Sequence, residues 1–297
     1  MQDQTDYPNV EYGSSYLHST HDWMTNVPII GELTLGELTL PGAHNSGVDK
    51  QSWYVPQILK HWVACQNNSF LTQLNNGARA LDLRIVQLSP GSYLFQHNSI
   101  KSFWTLNSMI KAVKTFLIAN PDEFIVLDFH EMRSMPSPRD HEEFVRIMTT
   151  ELGDRMIPTE NNHLTLRQLK EESPLQRLMV CTEIRINRDY FNPRLWHEWS
   201  GTDETTTGAL RGFISEVLQS PPSGERPWSL SATSYTYFGG PVDIKEKLNE
   251  WFDPAKSDWA SKCSIINADF FEESRLVMYC REANVSKALA KINAVPR

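Results

Sequence analysis

Seven ionisable side chains stand at or beside the ends of short apolar runs: His44, Asp82 with Arg84, His97, Asp128 with His130, and Asp269. Imidazoles titrate near neutral pH and can both take and give protons. Guanidinium groups hold anionic oxygens, and carboxylates bias a neighbouring imidazole toward its charged form. Together these residue types suit acid–base chemistry. Taken singly, each has a structural explanation. His44 fits a loop histidine bonded to a carbonyl, Asp82 with Arg84 an ion pair lining a barrel, and Asp128 with His130 a helix-capping pair. Asp269 fits a cap on the last helix. Five successive strand ends delivering His, Asp/Arg, His, Asp/His and Asp to one rim are hard to explain as packing.

The elements that must position them follow from the hydrophobic pattern. Short apolar runs alternate with longer amphipathic ones, the pattern of βα units around a parallel sheet. Strands are expected at 37–40 (halted by Pro41-Gly42), 78–88, 93–97, 123–129, 178–184, 229–234 and 264–268. The run at 123–129, EFIVLDF, is apolar enough to be buried on both faces. Helices are expected at 105–119, 139–152, 208–218, 242–251 and from about Arg275. Segments 200–207 and 220–227 read as loops, too short for interdomain linkers. The expected fold is α/β: a TIM-type (β/α) barrel, possibly distorted or incompletely closed. It spans the 297 residues as a single domain, with the barrel core at about 30–290 and residues 1–29 as an N-terminal extension. In such a barrel the C-terminal strand ends form the mouth of the site. Asp82 and Arg84, two apart on one strand, face the same side.

A net charge of −8 argues against nucleic acid as a partner and against simple electrostatic docking on anionic membranes. Cys65, Cys181, Cys263 and Cys280 are widely spaced and form no zinc pattern, so buried thiols are expected rather than a disulfide framework. No apolar run approaches the roughly 20 residues of a membrane span. The first residues show no basic region leading into an apolar stretch, although a mature secreted form would look the same. A secreted or a cytoplasmic protein acting peripherally on membranes fits equally, and a monomer is expected.

Several segments, read in order, resemble the X domain of phosphatidylinositol-specific phospholipase C. PGAHNSG is similar to its first signature, NNGARALDLRI to its second, and FQHNS to the segment with the second histidine. EFIVLDFHE resembles the fourth-strand block and IINADFF the last strand. The resemblance holds from about residue 30 to 135, then lapses until about 263. It implies cleavage of phosphatidylinositol to diacylglycerol and a cyclic inositol phosphate, by attack of the inositol 2-hydroxyl on the adjacent phosphorus. It assigns His44 as general base, Asp269 as its orienting carboxylate, His97 as general acid, Arg84 to the phosphate, and Asp82 beside His97. It places Asn45 and His130 among the substrate contacts. Calcium-requiring relatives carry an acidic residue where Arg84 stands, with Asn after the first histidine. Asn45 therefore follows the calcium pattern and Arg84 the metal-free one. A guanidinium repels a divalent cation, and calcium prefers six or more oxygens, so the expectation is no metal. Calcium near Asn45 and Asp82 is the alternative.

A lipid substrate calls for interfacial aromatics. Trp53, Tyr54, Ile58 and Trp62 recur at roughly helical intervals and resemble the rim helix that bacterial members press onto membranes. The loop from Tyr235 to Pro241 is a second candidate, with Tyr235 a substrate contact. Arg185, after the fifth strand, is a candidate inositol contact. Two readings compete. A glycerophosphodiester phosphodiesterase on the same fold would carry a His-Arg-Gly start and paired Glu-x-Asp ligands, which are absent. A catalytically inactive membrane adaptor would have no need of two histidines, Arg84 and Asp269.

Overall fold

The computed structural model describes residues 19–202, 204–236 and 240–294. Eight strands run parallel and in chain order around a curled sheet: β1 (Leu40–Ala43), β2 (Ala80–Ser89), β5 (Ile125–Arg133), β6 (Leu178–Thr182), β7 (Phe191–Pro193), β8 (His197–Glu198), β9 (Ser229–Ser231) and β12 (Ile265–Ala268). An antiparallel hairpin of β3 (Ser92–His97) and β4 (Ile100–Thr105) extends β2, and β10 (Ser234–Thr236) pairs with β11 (Gly240–Val242). Helices α1 (Lys60–Val63), α2 (Phe70–Asn75), α3 (Leu106–Ala119), α4 (Pro138–Leu152), α5 (Leu166–Glu172), α6 (Thr207–Val217), α7 (Lys245–Trp251), α8 (Trp259–Lys262) and α9 (Leu276–Ala294) fill the connections. β7 and β8 follow each other in sequence yet do not pair, so the expected (β/α) barrel is open on one side.

The two-residue period of strands separates chemistry from core. In β2, Leu81 and Leu83 pack outward with Leu127 and Phe129 of β5 against the helices, in one large buried cluster that includes Ile110 and Phe116 of α3. The alternate residues line the barrel in layers. At the strand starts Leu40, Ala80, Val126, Met179 and Ile265 close the N-terminal end as an apolar plug. One step higher Asp82, Asp128 and Asn267 are buried polar residues. At the next step Arg84, His130 and Asp269 reach a cavity. Register fixes these layers, since Ala80 pairs with Val126 and Asp82 with Asp128. Beyond Leu83–Phe129 the pairing slips, and Arg84 lies opposite Glu131. His130 is thus the extra residue of a bulge, a feature that re-aims side chains next to sites.

The stretch before residue 30, expected as an extension, is part of the plug from Trp23 onward. Trp23, Met24 and Val27 are buried there, and Trp23 Nε1 donates to Gly77 O at 3.0 Å. Residues 1–18 of that expectation lie outside the described residues. Beneath the plug Arg79 and Glu123 form a fully buried ion pair at 2.6 Å, and Glu123 also accepts from Thr25 N at 2.7 Å. Most expected elements recur with ends shifted by a few residues. Three differ in kind. Pro41-Gly42 does not halt the first strand but lies within it, Pro41 opposite Ile266 and Gly42 opposite Asn267. The run at 229–234 divides between β9 and β10, and Val242 belongs to β11 rather than to a helix. β4 was not expected. It follows a tight turn in which Asn98 and Ser99 have φ of 49° and 81°, the geometry that folds strands back on each other.

Candidate active site

His44 sits on the turn after β1. Gly42 lets β1 approach β12, because a Cβ there would lie 2.7 Å from Ile265 Cγ2. That approach sets His44 beside the residue directly after the last strand: His44 Nδ1 is 2.7 Å from Asp269 Oδ1. On the other side His44 Nε2 is 3.0 Å from a terminal nitrogen of Arg84. A carboxylate can only accept and a guanidinium can only donate, so the neutral ring carries its proton on Nδ1 and its lone pair on Nε2. Gln66 Nε2 braces the turn by donating to His44 O at 2.7 Å and Ala268 O at 3.0 Å.

Arg84 is held by Asp82, with contacts of 3.3 Å from Nε and 3.0 Å from a terminal nitrogen. Asn267 donates to the same carboxylate at 3.3 Å. Burial would raise the Asp82 carboxyl, but the Arg84 guanidinium and then His44 outweigh it and hold it well below the usual range. Asp82 was expected beside His97. Instead it lies 3.8 Å from His44 Nε2 and spends its charge on Arg84, which shares its face of β2.

His97 ends β3 with its ring centroid 6.4 Å from that of His44. Its Nδ1 donates to Val63 O at 3.1 Å, which leaves the other nitrogen for the cavity. Burial, with Arg84 and His44 adding positive charge, pushes its pKa down to about 4. Without an anion beside it His97 is neutral at physiological pH. Tyr235 packs edge-on to His97 at 6.3 Å and donates to Trp62 O at 3.2 Å. Cys65 lies 3.7 Å from His97 Nδ1, its thiol pushed well up by burial and then by Asp269.

His44, Arg84, His97, His130, Tyr235 and Asp269 line a single cavity of about 690 Å³ at the C-terminal strand ends. Asp82 lies beneath it, 4% exposed. Asn45 is fully buried and does not line it; the backbone nitrogen donates to Asp82 at 3.2 Å, while both amide atoms of the side chain lack a partner among the described residues. Arg185 is exposed and outside the lining, and Arg194 lines the cavity in its stead. Trp196, His197 and Trp199 also line it, in the stretch with no clear sequence pattern. Their one sequence signal is the density of aromatics in RLWHEWS. At the expected membrane rim Trp53, Val55 and Ile58 are exposed, but Tyr54 is buried, its hydroxyl donating to Asp49 O at 2.8 Å. Helical structure there begins only after Pro56, as a 3-10 turn at Gln57–Leu59 that runs into α1. In the second rim loop residues 237–239 lie outside the described residues.

Comparison with known proteins bears on the family and the fold. Residues 39–184 match the family model of the phosphatidylinositol-specific phospholipase C X domain. The PI-PLC X domain-containing protein 3 of Danio rerio is 27% identical, over 84% of this chain and 89% of its own length. A 1-phosphatidylinositol phosphodiesterase of Staphylococcus aureus is also 27% identical, over 41% of this chain and 37% of its own length. Among solved structures, a phosphatidylinositol-specific phospholipase C from Listeria monocytogenes superposes with a TM-score of 0.71. It covers 90% of this chain and 99% of its own at 16% identity, which speaks to the fold alone. Residues 39–184, which lie in an open (β/α) barrel, are thus similar to the X domain of phosphatidylinositol-specific phospholipase C.

Proposed function

We propose that the protein is a phosphatidylinositol-specific phospholipase C, cleaving phosphatidylinositol to diacylglycerol and a cyclic inositol phosphate. The observation that carries this reading is the Asp269–His44–Arg84 chain facing His97 across one cavity. His44 Nε2 takes the proton of the inositol 2-hydroxyl, whose oxygen attacks the adjacent phosphorus. Asp269 stabilises the imidazolium so formed. As the bond from phosphorus to the glycerol oxygen breaks, His97 gives that oxygen a proton. Arg84 turns from His44 to the phosphate oxygens and meets the charge that develops there. The diester's own negative charge, placed beside His97, favours its protonated form and offsets the burial that depresses it in the free protein.

We read this chemistry as independent of calcium. Asp82 is committed to Arg84, and the neighbours of Asp128 are imidazole nitrogens, so the six or more oxygens that calcium prefers are not assembled. The partnerless amide of Asn45 is the one feature that favours an oxygen-seeking ion. Contact with the membrane falls to Trp53, Val55 and Ile58, with Trp62 half-buried behind them. The test is turnover of phosphatidylinositol vesicles by the wild type, His44→Ala and His97→Ala, in calcium-stripped buffer and with calcium restored. The reading requires a loss of at least about 10²-fold in each variant and no calcium stimulation. A variant with near wild-type turnover would remove that histidine from the chemistry. Activity that appears only with calcium would remove the metal-free account.

A further inference from the structure

We propose that Asp128, His130 and His197 form a binding site for a divalent first-row transition ion, zinc by preference, which ties β8 to β5 across the open side of the barrel. One donor atom from each residue lies within 4.8 Å of the other two. Asp128 Oδ2, His130 Nδ1 and His197 Nε2 are all buried, and none has a hydrogen-bond partner among the described residues. The first two are 3.4 Å apart, close enough for an ion pair but without hydrogen-bond geometry. Leaving one buried polar atom unpaired costs about 1–3 kcal/mol, so three converging on a point need a common partner. A cation that accepts lone pairs from all three supplies it.

The donor set selects the ion. Two imidazoles and one carboxylate suit zinc and its neighbours in the transition series, whereas calcium and magnesium take oxygen ligands. Three protein ligands leave a fourth tetrahedral position open, and both histidines face the cavity. Supports for the ligands are present. Asp128 Oδ1 accepts from Leu195 N at 3.3 Å, which holds the carboxylate with its other oxygen free, and Arg194 donates to His130 O at 3.1 Å. The nearby charge of Arg84 is balanced by its pair with Asp82.

Position in the fold gives the site its consequence. His130 is the bulge residue of β5, while His197 opens β8, which pairs only with β9. The two rings pack at 4.0 Å between centroids, although their strands lie on opposite sides of the seam left by β7 and β8. An ion held by both closes that seam without backbone pairing. This proposal stands apart from the cleavage reading, and its test does not use activity.

Metal-stripped full-length protein is titrated with zinc by calorimetry, and its melting temperature is followed with and without zinc. The cobalt-loaded protein is examined for visible ligand-field bands. The same measurements are made on His197→Gln and His130→Gln, which keep bulk and polarity, with circular dichroism to establish folding. The proposal expects one zinc per wild-type chain and a higher melting temperature with zinc. In each folded variant binding should weaken at least as much as the roughly 10–100-fold that loss of a supporting residue costs. The cobalt bands should vanish in both. His44→Ala, which alters the separate trio of His44, Cys65 and Asp269, should keep the zinc. No zinc bound by the wild type would overturn the site, leaving an ordered water or the substrate as the partner of these atoms. Equal affinity in both glutamine variants, or loss of zinc in His44→Ala, would overturn it too.

Discussion

The proposed role of His44 as base requires its lone pair to face the cavity, and Asp269 and Arg84 fix that from opposite sides. Asp269→Asn replaces an obligate acceptor with an amide that can also donate, so the ring loses its imposed tautomer. Turnover should fall by about 10²–10⁴-fold with little change in KM, as steady-state kinetics will show. A rise in KM at unchanged turnover would make Asp269 a binding group instead. Arg84→Lys keeps the charge but not the fork that grips Asp82 while reaching His44, and the variant should be impaired even at saturating substrate. His97 carries the pH dependence. Its pKa of about 4 in the free protein rises beside the substrate's phosphate. The alkaline limb of the kcat profile should therefore lie at higher pH than that of kcat/KM, since an acid must be protonated to act. Coincident limbs would mean that substrate does not recharge His97. The same shift has a thermodynamic side. The folded value lies below the unfolded 6.5, so the stability of the neutral ring is full above that pH and is lost as pH falls toward about 4. The amount is about 3 kcal/mol, and the unfolding free energy of the wild type relative to His97→Asn, from urea titrations, should fall on acidification by that order.

At the scale of elements, one register places Asp82 and Arg84 inside the barrel and Leu81 and Leu83 outside, and a shift of one residue would exchange them. This is why so much of the site was legible in the sequence. Polar residues two apart in an otherwise apolar run have one comfortable face, and turn residues mark where the run ends. The part between 185 and 200 was not legible for the converse reason. β7 and β8 have three and two residues, too few to show a period, and no helix separates them. No pattern places His197 and Arg194, whereas Arg185, directly beyond an obvious strand, is exposed. The rim segment illustrates a second limit. Aromatic spacing in 53–62 suggested one helix with a common face, but Pro56 delays the helix and divides neighbouring aromatics between water and core. Trp53→Ala should weaken binding to phosphatidylinositol vesicles in a sedimentation assay while sparing cleavage of a soluble inositol phosphodiester. Tyr54→Phe, which loses only the bond to Asp49 O, should cost about 1 kcal/mol of stability and leave vesicle binding unchanged. Equal loss on vesicle and soluble substrates in Trp53→Ala would place that residue in the site.

For the molecule as a whole, the barrel has two ends with opposite tasks. The N-terminal end is plugged by apolar strand starts and by the segment from Trp23, over the buried Arg79–Glu123 pair. Glu123→Ala would strand a buried guanidinium, and chemical denaturation should show a loss of about 3–5 kcal/mol. Arg79→Met together with Glu123→Leu should recover much of it, because two apolar groups leave no charge unpaired. The C-terminal end keeps its polar layers and opens them to the cavity, where the proposed reading seats a lipid headgroup. What that end does to a phosphodiester is the central claim, and phosphorus NMR of the products formed from phosphatidylinositol tests it most directly. Intramolecular attack through His44 predicts that the five-membered cyclic inositol phosphate appears first, with any acyclic monophosphate accumulating only as the cyclic ester is consumed. Acyclic inositol phosphate as the sole product from the earliest time point would mean that water, not the 2-hydroxyl, attacks phosphorus, and would contradict the account.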